Sequence, residues 1–155
     1  MIPTVRRKRY AWGNKISSLN GIDKSADEHR QEAVGVLVVD DFGPFLEIAH
    51  DVIAEAPGFE PVGEVSTGRE AMAVADELDP ELAIVDIRMP GMNGIELTRK
   101  MKTAHPEMVV LLITGGDLAE VSPDAHRCGA AAIVRKEEFG PRLLARVWGS
   151  ERGAG

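Results

Sequence analysis

The chain has 155 residues, of which 44% are hydrophobic and 28% are charged. This composition is typical of one globular domain with a buried core. Its formal net charge of −7 at pH 7 disfavours a general nucleic-acid binder, which needs positive charge to displace counterions. Cys128 is the only cysteine, which excludes an internal disulfide. No apolar run reaches transmembrane length and no secretory signal is recognisable, so we expect a cytoplasmic protein.

The first 33 residues differ from the rest of the chain. They carry seven Lys and Arg against four Asp and Glu, and their apolar residues show no sustained periodicity. We expect residues 1–33 to form a mostly disordered extension whose basic start, RRKRY (6–10), is solvated rather than bound to nucleic acid or a membrane. Residues 34–149 are predicted to fold as one domain, followed by a short flexible tail at 150–155.

From residue 34 onward, short apolar runs alternate with stretches of helical periodicity. The runs predict five strands, VGVLVV (34–39), PVGEV (61–65), LAIV (82–85), MVVLLI (108–113) and AAIV (131–134). A helix is predicted after each strand, and the last is marked by the apolar stripe Leu143, Leu144, Val147 and Trp148. Such alternation is typical of βαβ units and a parallel sheet.

The polarity of the strands predicts their order. Strands one, three and four are almost wholly apolar and suit the centre of the sheet, whereas Pro61 and Glu64 suit an edge for strand two. The order 2-1-3-4-5 meets these demands and defines a doubly wound, flavodoxin-like (βα)5 fold. In this fold ligands bind beyond the carboxyl ends of strands one and three.

Three acids are expected to meet at that place. Asp40 and Asp41 follow strand one directly, and Asp86 follows strand three. Clustered carboxylates repel one another unless a hard divalent cation lies among them, and oxygen ligands in an open pocket favour Mg²⁺. Thr114 and Lys136 end strands four and five; a carboxylate, a metal, a hydroxyl and a lysine together suit phosphoryl transfer.

Four segments carry a resemblance to a known family. They are VVDDF (38–42), VDIRMPGMNGIEL (85–97), LLITGG (111–116) and GAAAIVRK (129–136). In this order they resemble the receiver domain of bacterial two-component response regulators, over roughly residues 34–149.

The resemblance implies roles at the acidic end of the sheet. Asp86 takes the position of the phosphoacceptor, Asp41 that of a direct Mg²⁺ ligand, and Asp40 that of a ligand acting partly through water. The backbone carbonyl of Arg88 is a further implied ligand.

Thr114 and Lys136 are implied to contact the phosphoryl oxygens, by a hydrogen bond and an ion pair. Each also has an ordinary structural interpretation: Thr114 precedes two glycines and would suit a turn, and Lys136 lies in RKEE and would suit a solvated surface. As a mobile cation in an open pocket, Lys136 is expected to contribute little to stability.

The sequence departs from the family pattern in three places. Glu137 follows Lys136 where many receivers have a cis proline, so we expect a trans peptide bond there. Ile133 stands where an aromatic residue is usual. Ser122 and Pro123 predict that the fourth helix begins late and has about two turns. We therefore expect phosphorylation to move Thr114 to Val121, with little rotamer change at Ile133.

The resemblance implies a signalling protein rather than a turnover enzyme. We expect a single-domain receiver, with no output domain, that takes its phosphoryl group from a sensor histidine kinase or a histidine phosphotransfer protein. Output would come through protein–protein contacts, a phosphorylation-dependent homodimer among them, and neither direct DNA binding nor membrane binding is expected. The alternative within the family is the receiver part of a DNA-binding regulator that has lost its helix-turn-helix domain.

Two other classes fit the residues less well. A phosphatase of the haloacid-dehalogenase type needs a second Asp two residues beyond the nucleophile, where Arg88 stands. A flavodoxin-like cofactor binder is disfavoured because aromatic residues are only 5% of the chain and an acidic site would repel a flavin phosphate.

Overall fold

The computed structural model describes residues 4–5 and 33–153. In this part of the chain, five parallel strands alternate with four α-helices. The strands are β1 (Val34–Val39), β2 (Phe59–Val65), β3 (Leu82–Asp86), β4 (Val109–Thr114) and β5 (Ala132–Arg135). The helices are α1 (Gly43–Glu55), α2 (Gly68–Leu78), α3 (Gly94–Ala104) and α4 (Pro141–Gly153).

The parallel strands lie in the order β2-β1-β3-β4-β5, which confirms the predicted doubly wound fold. A separate two-residue strand, Thr4–Val5, pairs antiparallel with β2, so that β2 has a neighbour on both sides. The rest of the predicted N-terminal extension lies outside the described residues. Among the helices that the structure describes, none is long and apolar enough to cross a membrane.

Helices cover both faces of the sheet, and β1 shows why its sequence is apolar throughout. On the face covered by α2 and α3, the buried side chains include Leu37, Val39, Val74, Leu97 and Met101. On the face covered by α1 and α4, they include Val36, Val38, Phe45, Ile53 and Leu144. Successive residues of a strand point to opposite faces, so a strand buried on both faces needs an apolar residue at each position.

The helices begin where the loops at the carboxyl edge of the sheet end. The Asn93 side chain accepts the backbone N–H of Glu96, 2.9 Å away, and so caps α3. Helix α1 begins without a side-chain cap after Phe42, and Pro44 occupies its first turn, where a missing N–H costs nothing. The starts of α1 and α3 thereby fix the ends of the loops that follow β1 and β3.

The segment between β4 and β5 differs from the prediction. It contains two short 3-10 helices, Leu118–Glu120 and Pro123–Arg127, in place of a two-turn α-helix. The predicted start is confirmed, because the Ser122 hydroxyl caps the second 3-10 helix. Proline keeps Ser122 extended, and Gly129, at φ +103°, turns the chain soon afterwards. The interval leaves too few residues to nucleate an α-helix.

Candidate functional site

The structure brings the three predicted acids together at the carboxyl end of the sheet. Strands β1 and β3 are paired with Val39 opposite Val85, so Asp40 and Asp86 leave the sheet side by side. One carboxylate oxygen from each of Asp40, Asp41 and Asp86 lies within 4.8 Å of the other two. This spacing is compatible with a shared cation.

The two adjacent acids have opposite environments. Asp41 is exposed, whereas Asp40 is 0% exposed. Asp40 Oδ1 accepts the backbone N–H of Phe42 at 2.9 Å. Asp40 Oδ2 is buried and receives no aligned hydrogen bond from the described residues. A buried carboxylate oxygen needs a positive partner, and the Lys136 ammonium supplies that charge at 2.7 Å without an aligned hydrogen bond.

Lys136 reaches into the cluster from the end of β5. Its Nζ lies 2.7 Å from Asp40 Oδ2 and 3.7 Å from Asp86 Oδ2, and also 5.0 Å and 5.7 Å from the ring centres of Phe45 and Phe42. Its side chain is only 20% exposed. The lysine is therefore a buried counter-charge flanked by aromatic rings. The peptide bond to Glu137 is trans, as predicted.

The environment of Asp86 disfavours its charge. Burial raises the pKa of Asp86 to about 7, and repulsion from Asp40 acts in the same direction, while Lys136 and the backbone N–H of Arg88 oppose the rise. These surroundings therefore favour the neutral form of this carboxyl more than water does. A cation placed among the acids would favour its ionised form.

Thr114 lies beside Asp86 at the end of the next strand. Asp86 is paired with Ile113 in the β3–β4 ladder, so Thr114 stands one residue beyond it. The threonine is buried, and its Oγ1 accepts the backbone N–H of Gly116 at 3.1 Å. Accepting that bond leaves the hydroxyl hydrogen to donate. The hydroxyl is thus fixed at the rim of the acidic cluster.

Sequence reasoning missed the role of Gly94 in shaping this site. The chain after β3 turns back so closely that a Cβ on Gly94 would overlap the Asp86 carbonyl oxygen and lie 2.9 Å from Ile87 Cα. The turn is fixed by the Gly94 N–H, which donates to the Ile87 carbonyl at 2.9 Å. A glycine directly before a helical stripe, in GMNG, was the available signal.

A further feature that the sequence did not reveal is the pair of rings around Lys136. Phe45 also contacts Phe139, with ring centres 5.8 Å apart, and so ties the start of α1 to the loop after β5. This packing narrows the space in which the Lys136 ammonium can lie.

The chain belongs to the response regulator receiver domain family, because the model of that family matches residues 36–148. The match covers most of the domain that the fold defines.

The chain is similar in sequence to response regulators that are longer than it is. The chain is 37% identical over 106 residues to the response regulator GacA of Pseudomonas syringae, covering 66% of this chain and 48% of GacA. It is 30% identical over 139 residues to the nitrate/nitrite response regulator NarL of Escherichia coli, covering 76% of this chain and 64% of NarL. The chain thus spans between about half and under two thirds of the length of these relatives.

Solved structures show the same fold. The signal receiver domain of NarL from Mycobacterium tuberculosis is 28% identical, with a TM-score of 0.71, and the match covers 79% of this chain and 98% of that domain. The response regulator domain of CheB from Thermotoga maritima is 27% identical, with a TM-score of 0.68, covering 77% of this chain and 97% of that domain.

Proposed function

We propose that this receiver accepts a phosphoryl group on Asp86, from a sensor histidine kinase or a histidine phosphotransfer protein, and signals through phosphorylation-dependent protein contacts rather than as a turnover enzyme. One observation carries the proposal. In a receiver fold, the site holds a buried carboxyl with a pKa raised to about 7, next to a second buried acid and a shared lysine. Strongly perturbed carboxyls in a cluster of complementary groups are typical of reactive sites.

The transfer follows from these groups. A carboxylate oxygen of Asp86 attacks the phosphorus of a phosphohistidine in line with the P–N bond. That bond breaks as the new P–O bond forms, its electron pair goes to the imidazole nitrogen, and Asp86 becomes an acyl phosphate. Lys136 would neutralise charge on the transferred oxygens, and the Thr114 hydroxyl would donate a hydrogen bond to one of them.

The donor set fits Mg²⁺. Asp41 would supply an exposed carboxylate, Asp40 a buried one and Asp86 the reacting one, with one oxygen of each within 4.8 Å of the other two, and the Arg88 carbonyl would be a further ligand. When bound, Mg²⁺ supplies positive charge that ionises the acids and draws electron density from the phosphoryl oxygens.

A second form of the same function is favoured by the lengths of the relatives. GacA and NarL are longer than this chain, so the chain would be the receiver part of a longer DNA-binding regulator. The chemistry at Asp86 would be unchanged, and output would come from the additional region. An immunoblot of native cell extract separates the two forms: the single-domain form gives a band near 16.7 kDa, and the longer form a heavier band.

The proposal is tested by incubating the protein with Mg²⁺ and acetyl phosphate and measuring its intact mass. We expect a gain of one phosphoryl group, lost in Asp86→Asn and retained in Asp51→Asn, which removes an exposed acid of α1. Asp41→Asn should raise the Mg²⁺ concentration needed for the gain. Labelling of Asp86→Asn at the wild-type level would refute the assignment of the acceptor.

A further inference from the structure

The side chain of Arg88 has no part in the site described above, yet it starts two residues after Asp86 and reaches the segment after β4. Its backbone N–H bonds the Asp86 carboxylate, while its guanidinium extends to the segment after β4. There Nη2 lies 3.7 Å from Glu120 Oε2. One residue therefore contacts both the proposed phosphoacceptor and the segment that differs most from the prediction.

We propose that Arg88 is a phosphoryl-sensing residue: its guanidinium is held by Glu120 before phosphorylation and moves to the phosphoryl group on Asp86 afterwards, which releases Leu118–Glu120. The inference rests on the proposed function of Asp86. It assigns the Arg88 side chain a role in binding the phosphoryl group, distinct from the proposed metal contact of its carbonyl.

The ion pair with Glu120 is weak enough to be exchanged. The Arg88 and Glu120 side chains are 69% and 68% exposed, and pairs so exposed contribute little because water screens them. A phosphoryl group carries nearly two negative charges and three acceptor oxygens, and a guanidinium can bind it with two parallel hydrogen bonds. The competition therefore favours the phosphoryl group once it is present.

The space between Arg88 and the site is open. A Cβ on Gly116 would lie 3.6 Å from Arg88 Nη2 and 3.6 Å from Thr114 Oγ1. The glycine therefore leaves a gap with the guanidinium on one side and the threonine hydroxyl on the other. Both groups are hydrogen-bond donors suited to phosphoryl oxygens, so Arg88 can approach the position where Thr114 would meet them.

The segment that Glu120 belongs to is held by few interactions. None of the three residues of its 3-10 helix is buried, and Leu118 is an exposed large apolar residue. Local bonds define the turn: the Asp117 side chain caps Ala119, and the Val121 N–H reaches the Leu118 carbonyl. A short, exposed segment of this kind opens at low free-energy cost, so the loss of one ion pair can change its conformation.

The test compares Arg88→Gln with a matched control, Arg99→Gln. Arg99 also forms an exposed arginine–carboxylate pair, with Asp124 at 3.8 Å, but it lies on α3 and its partner in the second 3-10 helix. Each protein is phosphorylated with acetyl phosphate and Mg²⁺, the mass gain is measured, and amide NMR shifts of residues 117–121 are recorded before and after.

We expect the 117–121 shift to rise with the fraction of phosphorylated protein in wild type and in Arg99→Gln, whereas Arg88→Gln, compared at the same fraction phosphorylated, should show a much smaller shift. Glu120→Gln should move the 117–121 signals toward their phosphorylated positions without phosphorylation. A full shift in phosphorylated Arg88→Gln, or an equal loss in Arg99→Gln, would overturn the inference alone. A wild type that gains no mass would overturn the proposed function, and the inference with it.

Discussion

Polar side chains at the two ends of the sheet have different hydrogen-bonding partners. At the amino end, Glu81 Oε2 accepts the Gly35 N–H, and Lys102 Nζ donates to the carbonyls of Pro106 and Met108, each at 2.7 Å. These groups bind the backbone of β1 and of the loop before β4. The amino end is therefore organised for stability.

At the carboxyl end, acidic and basic side chains of the same kinds are crowded together instead of binding backbone groups. Asp40 has a buried oxygen without an aligned hydrogen bond from the described residues, the pKa of Asp86 is raised to about 7, and Lys136 is shared between the two acids. Closely spaced charged groups concentrated at one end of the sheet indicate a binding site for a charged ligand there. Substitutions at the two ends should therefore differ in how much they change the free energy of unfolding, and in how that change responds to pH and Mg²⁺.

The largest effect is expected from Gly94→Ala at the carboxyl end. The new Cβ would overlap the Asp86 carbonyl oxygen, which is backbone and cannot move aside, so the free energy of unfolding should fall by about 3 kcal/mol or more. Gly43→Ala is the matched control, since a Cβ there would meet nothing within 4 Å. Urea unfolding measures both, and equal stability of the two variants would contradict the predicted clash.

Lys136→Ala should come next, with a loss of about 2–4 kcal/mol, because it leaves the fully buried Asp40 without its counter-charge. This replaces the expectation from the sequence that the lysine contributes little, which assumed an open pocket. Mg²⁺ should restore part of the loss, as a second cation takes over the role. Thermal unfolding with and without Mg²⁺ checks the prediction, and a loss that Mg²⁺ leaves unchanged would argue against a shared site.

The third prediction concerns pH. A carboxyl whose pKa is about 7 in the folded protein, against 3.8 as its ordinary value, binds its proton more tightly when folded. Its contribution to stability is full below pH 4 and is lost as the pH rises through 7. Asp86→Asn should therefore stabilise the apo protein by about 1–3 kcal/mol at pH 8 and much less at pH 4.

Thermal unfolding of wild type and Asp86→Asn at the two pH values provides the measurement. Mg²⁺ should stabilise the wild type more at pH 8 than at pH 4, because it binds the ionised acids. An equal difference between the two proteins at both pH values would show that folding does not shift the pKa of Asp86.

The smallest effect is expected at the amino end. Glu81→Ala removes the acceptor of the Gly35 N–H and should lower the free energy of unfolding by about 1–2 kcal/mol, with phosphorylation of Asp86 unchanged. Glu81→Gln, which keeps an acceptor oxygen, is the control and should recover much of the stability. Loss of phosphorylation in Glu81→Ala would show that the two ends are more closely coupled than the fold suggests.

The fold followed from the sequence because its signals are local and repeated. The run Val34–Val39 is apolar at every position, which only a strand covered on both faces requires. The polar residues of β2 predicted an edge strand; β2 is the outermost of the parallel strands, but Thr4–Val5 pairs with its outer side. The Ser122 cap could be predicted for the same reason, because Ser122 followed by Pro123 is a local signal. The length of the helix that begins after Ser122 could not be predicted, because the number of residues before Gly129 depends on where β5 must start.

The sequence by itself also determined which residues would gather, since parallel strands bring their carboxyl ends to one edge. Five residues lie at or just after these strand ends: Asp40, Asp41, Asp86, Thr114 and Lys136. Only the tertiary structure decided how each of them is used. Asp40 and Asp41 are chemically identical neighbours, and nothing local distinguishes them, yet one is buried against Lys136 and the other is exposed. Burial depends on what packs over a residue from distant parts of the chain, here Lys136 after β5, and burial shifts the balance between the charged and neutral forms of a carboxyl.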